Sequence, residues 1–168
     1  MMEREFDEKK ATDYFAEQHE KAEKLLKDED KMERFLQKLE KKFKTIPVAG
    51  DALAYVPLMI SLVRLYIKKE YTEPPITSLV SIVAALAYVL SPADFIADII
   101  PVVGYSDDAL VIAACLALVK TDIEDYRIWR KENGMEITDL PDYEDITKNA
   151  EENNKFYSAF YKGRDSKK

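Results

Sequence analysis

The chain of 168 residues contains one cysteine, one histidine and four glycines. The single cysteine, Cys115, excludes a disulfide within the chain and predicts a reducing compartment. So few glycines, with few alternating β-branched segments, favour helices over strands. A basic excess is also lacking: the formal net charge is −7, and Lys and Arg are interleaved with Asp and Glu. This balance argues against nucleic-acid binding, which needs clustered cations.

No apolar run reaches the roughly 18–20 residues that a membrane span needs. Three runs fall short of that length: Ala52–Val63, Ile76–Leu90 and Ala109–Val119. Arg64 ends the first and Lys120 ends the third. We interpret all three as core helices, with contact at a membrane surface as the alternative. Residues 1–8 have no apolar segment of the signal-peptide kind, so we expect a cytoplasmic protein.

Residues 1–45 are predicted to form a charged, amphipathic helical region. Apolar residues recur at every third or fourth position, which is the helical period. The acidic and basic stretch Lys27–Asp30 marks a break between two helices. His19 has no second histidine or cysteine near it in the sequence, so we do not expect it to bind a metal or to act in catalysis.

Residues 46–133 are predicted to form an apolar helical core. Pro74 and Pro75 precede Ile76–Leu90, which is apolar on every face and should therefore be the central helix. Before them, a helix from Ala52 to about Lys69 should kink at Pro57. The last major helix should run from Ala109 to about Lys131.

Residues 134–168 form an acidic and aromatic tail. Four aromatic residues at helical spacing predict a short tail helix that docks by its aromatic face, or else a partner-binding motif: Phe156, Tyr157, Phe160 and Tyr161. The predicted fold class is all-α. We expect a compact bundle around the helix at about 76–90, with two amphipathic N-terminal helices and the tail helix.

The most unusual stretch is Ser91–Asp108, which reads S-P-A-D-F-I-A-D-I-I-P-V-V-G-Y-S-D-D. Asp94 and Asp98 stand four residues apart, and Asp107 with Asp108 follow a turn. Four converging carboxylates would suit Mg²⁺ or Ca²⁺, and two close ones could act as acid and base. The structural alternative is that they cap the first turns of helices, where a carboxylate accepts from free N–H groups.

Residues 84–112 read A-A-L-A-Y-V-L-S-P-A-D-F-I-A-D-I-I-P-V-V-G-Y-S-D-D-A-L-V-I. This resembles the YkvA-like proteins, a bacterial family classed as a domain of unknown function. Its motif is L-x-Y-x-x-S-P-x-D, then I-P-D-x-x-P, then G-x-x-D-D. Ala97 stands where the family usually has proline, which puts the orientation of Asp98 in doubt. The resemblance implies no established activity, and some relatives carry apolar segments that suggest membrane association.

The sequence therefore favours a non-enzymatic helical protein without a cofactor. It would act through a protein partner, another copy of itself or a membrane surface. No histidine, lysine or cysteine lies near the aspartates to serve as a base or nucleophile. The alternative is a divalent-metal-binding protein or metal-dependent enzyme that uses Mg²⁺ or Ca²⁺ at Asp94, Asp98, Asp107 and Asp108.

Overall fold

The computed structural model describes residues 8–45, 51–90, 105–153 and 155–165, and every regular element in these ranges is helical. The predicted all-α fold is confirmed. The elements in chain order are α1 (Glu8–Leu26), α2 (Glu29–Thr45), a 3₁₀ helix (Asp51–Tyr55), α3 (Val56–Ile67), α4 (Ile76–Leu90), α5 (Tyr105–Leu118), α6 (Lys120–Glu132), α7 (Tyr143–Asn153) and α8 (Lys155–Asp165).

Helix α4 lies at the centre of the core, as the sequence predicts. It begins after Pro74 and Pro75, and the Pro75 carbonyl accepts the backbone N–H of Ser78 at 3.1 Å. Twelve of its 15 residues are buried, because α1, α2, α3 and α5 all pack around it. Each fully buried leucine or isoleucine contributes about 1.5–3 kcal/mol of transfer free energy. Its apolar surface is therefore almost entirely covered by protein, with Ile76 at its first position exposed.

Polar contacts join α4 to three neighbouring helices. The Ser78 hydroxyl donates to a carboxylate oxygen of Asp122 in α6. The Cys115 thiol in α5 donates to the Ser81 carbonyl over 3.5 Å. The Lys42 ammonium in α2 donates to the Val89 carbonyl. The last contact supplies a donor to one of the carbonyls that a helix leaves open at its C-terminal end.

The two N-terminal helices separate where the sequence predicts. Helix α1 ends at Leu26 and α2 begins at Glu29. Between them Asp28 caps α2, since its Oδ1 accepts the backbone N–H of Lys31 at 3.1 Å. The apolar face of α2 is buried against the core through Met32, Phe35, Leu36 and Leu39.

Two predicted helix boundaries are wrong. The helix expected from Ala52 with a kink at Pro57 is a 3₁₀ helix followed by α3, and Pro57 lies in the first turn of α3. No intrahelical bond needs its missing N–H there. The helix expected from Ala109 to Lys131 is also two helices, because the backbone of Val119 leaves the helical conformation at φ −111° and ψ 28°.

The C-terminal helices close the bundle. Helix α7 packs on α5, and α8 packs along α1. Phe160 of α8 is buried, with its ring centroid 5.3 Å from that of Phe15 and 4.9 Å from that of His19. Tyr161 beside it is exposed. The described parts of the three predicted regions thus share one hydrophobic core.

Gly163 sets the distance between α8 and α1. A Cβ atom at this position would lie 2.8 Å from the Cβ of Phe15 and 2.9 Å from the backbone nitrogen of Ala16. The second of these atoms belongs to a helical backbone and cannot rotate away. Any larger residue therefore forces the two helices apart.

We expect Gly163→Ala to destabilise the protein by about 1–3 kcal/mol, the usual effect of overpacking. The measurement is the free energy of unfolding in urea. Gly134→Ala is the matched control, because its Cβ would meet no atom within 4 Å and only its positive φ of 72° opposes the change. A more stable Gly163→Ala variant, as expected for alanine in an uncrowded helix, would contradict the close packing.

Among the residues that the structure describes, no helix is long and apolar enough to cross a membrane.

Candidate functional site

The four aspartates of the predicted metal site fall largely outside the described residues. Asp94 and Asp98 lie in the 91–104 gap, and Asp107 and Asp108 lie in the first turn of α5, where only the backbone is described. The metal site therefore stays a prediction. In the described ranges, no three His, Cys, Asp or Glu side chains form a group that could hold a metal ion.

We expect the aspartates to act structurally, since carboxylates at the start of a helix stabilise it. The melting temperature should then be unchanged by Mg²⁺ or Ca²⁺, and Asp98→Asn should lower it equally with and without the ion. If the ions instead raise the melting temperature of the unaltered protein, and Asp98→Asn abolishes that rise while the protein stays folded, the four residues form a metal site.

The most extensive ion pair in the described part of the chain centres on Arg64 of α3. Its guanidinium makes two hydrogen bonds to each of two carboxylates of α2, Glu33 and Glu40. The shortest N–O distances are 2.9 Å to Glu33 and 2.7 Å to Glu40. Such forked pairing is the strongest geometry that arginine offers to carboxylates. We call this arrangement the Arg64 clasp; it fixes α2 against α3.

The clasp shifts the pKa values of its members in opposite directions. Hydrogen bonding from Arg64 holds the pKa of Glu40 below its ordinary value of 4.5, although partial burial opposes the shift. The hydrogen bonds that Arg64 donates to the carboxylates of Glu40 and Glu33 raise the pKa of Arg64. The lowered pKa of Glu40 and the raised pKa of Arg64 both favour the charged forms, so this pair stabilises the contact between α2 and α3.

The Glu40 shift predicts a loss of stability in acid. A carboxyl whose pKa is lower in the folded state stabilises the protein above its unfolded pKa, and this contribution disappears as the pH falls through the folded pKa. The urea midpoint should therefore fall less between about pH 5 and about pH 3 in Glu40→Gln than in the unaltered protein. Glu132→Gln, an exposed change, is the control. Equal pH dependence in all three proteins would contradict the role of the clasp.

A groove of about 350 Å³ lies beside α6. Its apolar surface comes from Leu58, Ile128, Ile137 and Leu140, and its charged residues are Glu124, Arg127, Arg130, Lys131 and Glu136. We call it the α6 groove. It lies at the surface, with Ile128 57% exposed.

The two arginines of the α6 groove are already hydrogen-bonded to protein groups. Arg130 donates to the Ser61 and Tyr126 hydroxyls over 2.8 and 3.2 Å. Arg127 donates to the Tyr55 hydroxyl over 3.3 Å, and Tyr55 donates onward to the Pro141 carbonyl over 2.7 Å. These bonds tie α6 to α3 and to the segment before α7. The arginines thus hold the groove walls in place.

A second cavity, of about 430 Å³, lies between α1, α4 and α8. Leu26, Ile76 and Val80 line one part of it, and His19, Glu23, Lys27, Thr77 and Arg164 line the other. His19 is buried, and its Nδ1 lies 2.6 Å from the Phe15 carbonyl oxygen. Since a carbonyl only accepts, Nδ1 carries a proton and donates it. Sequence reasoning placed His19 in a charged helix and missed its burial, because its apolar neighbour Phe160 lies far away in the chain.

The single cysteine is unreactive in this fold. Cys115 is fully buried in α5, and burial raises the pKa of its thiol. A nucleophilic cysteine needs the thiolate form and access to substrate. Cys115 has neither, so it behaves as a small core residue.

Comparison with known proteins gives two matches. Residues 78–114 match the family model described as protein of unknown function (DUF1232). The chain is also 27% identical over 78 residues to a protein of Bacillus subtilis (strain 168) named "Uncharacterized membrane protein YkvA". That match covers 46% of this chain and 74% of the relative. No solved structure matches. The expected relation to the YkvA-like proteins is therefore confirmed.

Proposed function

We propose that this protein is a non-enzymatic helical module that acts at a membrane surface through its exposed helical faces. Its apolar helices do not enter the lipid in this proposal, because they form the core of the protein. The observation that carries the proposal is the burial of α4: protein covers 12 of its 15 residues, and its exposed apolar residue Ile76 lies at its first position.

The dimensions of α4 support a peripheral position. Its 15 residues span about 22 Å, whereas the hydrocarbon core of a bilayer is about 30 Å thick. Helix α5 is one residue shorter and supplies Val111, Ile112 and Leu116 to the same core. Lipid contact by the buried residues of either helix would require the bundle to open and these residues to lose their packing against neighbouring helices.

The name of the Bacillus subtilis relative adds support for a membrane location. That relative is called a membrane protein, and the match covers 74% of its length. A protein that binds the surface of a membrane is recovered with membranes without spanning them. Peripheral binding is thus consistent with both the buried helices and the relative's name.

A protein partner is the second candidate, and the α6 groove favours it. Exposed Ile128 lies at the groove, and exposed Met135 follows the same helix. Apolar side chains beside charged ones are typical of contact surfaces between proteins. The groove would suit an amphipathic helix of a partner or of a second copy of this chain.

Fractionation of a detergent-free lysate tests the proposal. At low salt we expect the protein to sediment with membranes, and at about 1 M salt we expect release, because the Debye length then falls to about 3 Å. A salt-resistant fraction that also survives alkaline washing would mean that the helices enter the bilayer. Recovery only in the supernatant at low salt would favour the soluble protein partner.

A further inference from the structure

The outer face of α2 carries a continuous row of cations. Lys31, Arg34, Lys38 and Lys41 are separated by three, four and three residues, which places them on one side of the helix. All four are exposed. From Lys31 to Lys41 the row covers ten helical steps, or about 15 Å. We call these four residues the basic stripe.

The Arg64 clasp makes this face basic. Helix α2 has six basic and four acidic residues in its sequence. Two of the acidic ones, Glu33 and Glu40, turn towards α3 and bind Arg64. Their charge is compensated there by an arginine from another helix. The cations on the opposite flank of α2 are therefore left without these two carboxylates as neighbours.

Within the stripe the nearest helical neighbours have the same sign. Arg34 and Lys38 are four residues apart, and Lys38 and Lys41 are three apart. Like charges at these spacings destabilise a helix. In the described ranges the only ion pair of the stripe joins Lys31 to Asp28 at 4.0 Å, and both side chains are well exposed. An external anion would relieve this repulsion.

The stripe is exceptional in an acidic protein. The net charge of the chain is −7, and residues 120–153 hold 11 acidic and only 5 basic residues. At physiological salt the Debye length is roughly 8 Å. A charged surface therefore interacts mainly with the protein charges closest to it, and less with the net charge of the whole protein. A negatively charged surface would attract α2 and repel the segment around α7, which fixes the orientation of the protein.

We propose that the basic stripe binds anionic lipid headgroups at the membrane surface. The inference rests on the proposed function, and it names the chemistry of the contact. The stripe is a row of charges along one helix, and its four residues line neither the α6 groove nor the second cavity. Such a row suits a surface of many mobile phosphate groups better than a single shaped partner.

The test uses the purified full chain and two kinds of vesicle, one of phosphatidylcholine and one with added phosphatidylglycerol. We expect flotation with the anionic vesicles only, and release by salt. The triple change Arg34→Glu, Lys38→Glu, Lys41→Glu should weaken vesicle binding by roughly a hundredfold or more, because each cation near an anionic surface contributes severalfold in affinity.

The matched control reverses three exposed lysines elsewhere: Lys21→Glu, Lys24→Glu and Lys148→Glu. It changes the net charge by the same amount, so it should bind anionic vesicles within a few fold of the unaltered protein. Circular dichroism and melting curves establish that both triple variants are folded. The two triple variants then differ only in where the reversed charges lie.

Three outcomes would overturn the stripe proposal, and they differ in what they mean for the proposed function. Equal binding by both triple variants leaves the membrane function standing but removes the stripe from it. Equal binding of the unaltered protein to both vesicles points to apolar contact with lipid. Absence of vesicle binding, with stripe-dependent sedimentation in the lysate, indicates an acidic membrane protein as the partner.

Discussion

A helix without a polar face has to be covered on every side, and this requirement organises the whole bundle. Helix α4 is such a helix. Three helices that precede it in the chain, α1, α2 and α3, and one that follows it, α5, pack around it. The polar contacts at Ser78, Ser81 and Val89 then fix where the covering helices sit. Apolar burial supplies the stability, and these few hydrogen bonds fix the positions of the neighbouring helices along α4.

The general plan of the fold could be predicted from local patterns. The run Ile76–Leu90 is apolar apart from Thr77, Ser78 and Ser81, and Asp28 lies at a helix start, so both features are visible in the sequence. The boundaries at Val56 and Val119 were not predictable in this way. Both depend on how neighbouring helices pack, and propensity at single residues is too weak to show it.

The same division applies to function. The sequence shows the spacing of Lys31, Arg34, Lys38 and Lys41. In the sequence alone, however, these cations are mixed with glutamates and indicate only a solvent-exposed helix face. Only the structure shows that Glu33 and Glu40 bind Arg64, which follows them by 31 and 24 residues. The predicted aspartate cluster has a conspicuous spacing, but two of its members, Asp94 and Asp98, lie outside the described residues. Pairing between distant residues, as at Arg64, is not contained in sequence spacing.

The contact between α1 and α8 also constrains how the protein is made. Phe15 and Phe160 meet in the core although about 145 residues separate them. At about 5–20 residues per second, a ribosome needs roughly 7–30 s to supply the second after the first. During that interval the part of Phe15 that Phe160 covers in the folded protein lacks its partner. The nascent chain therefore completes this contact only after Phe160 has been synthesised, and until then a chaperone would have apolar surface to bind.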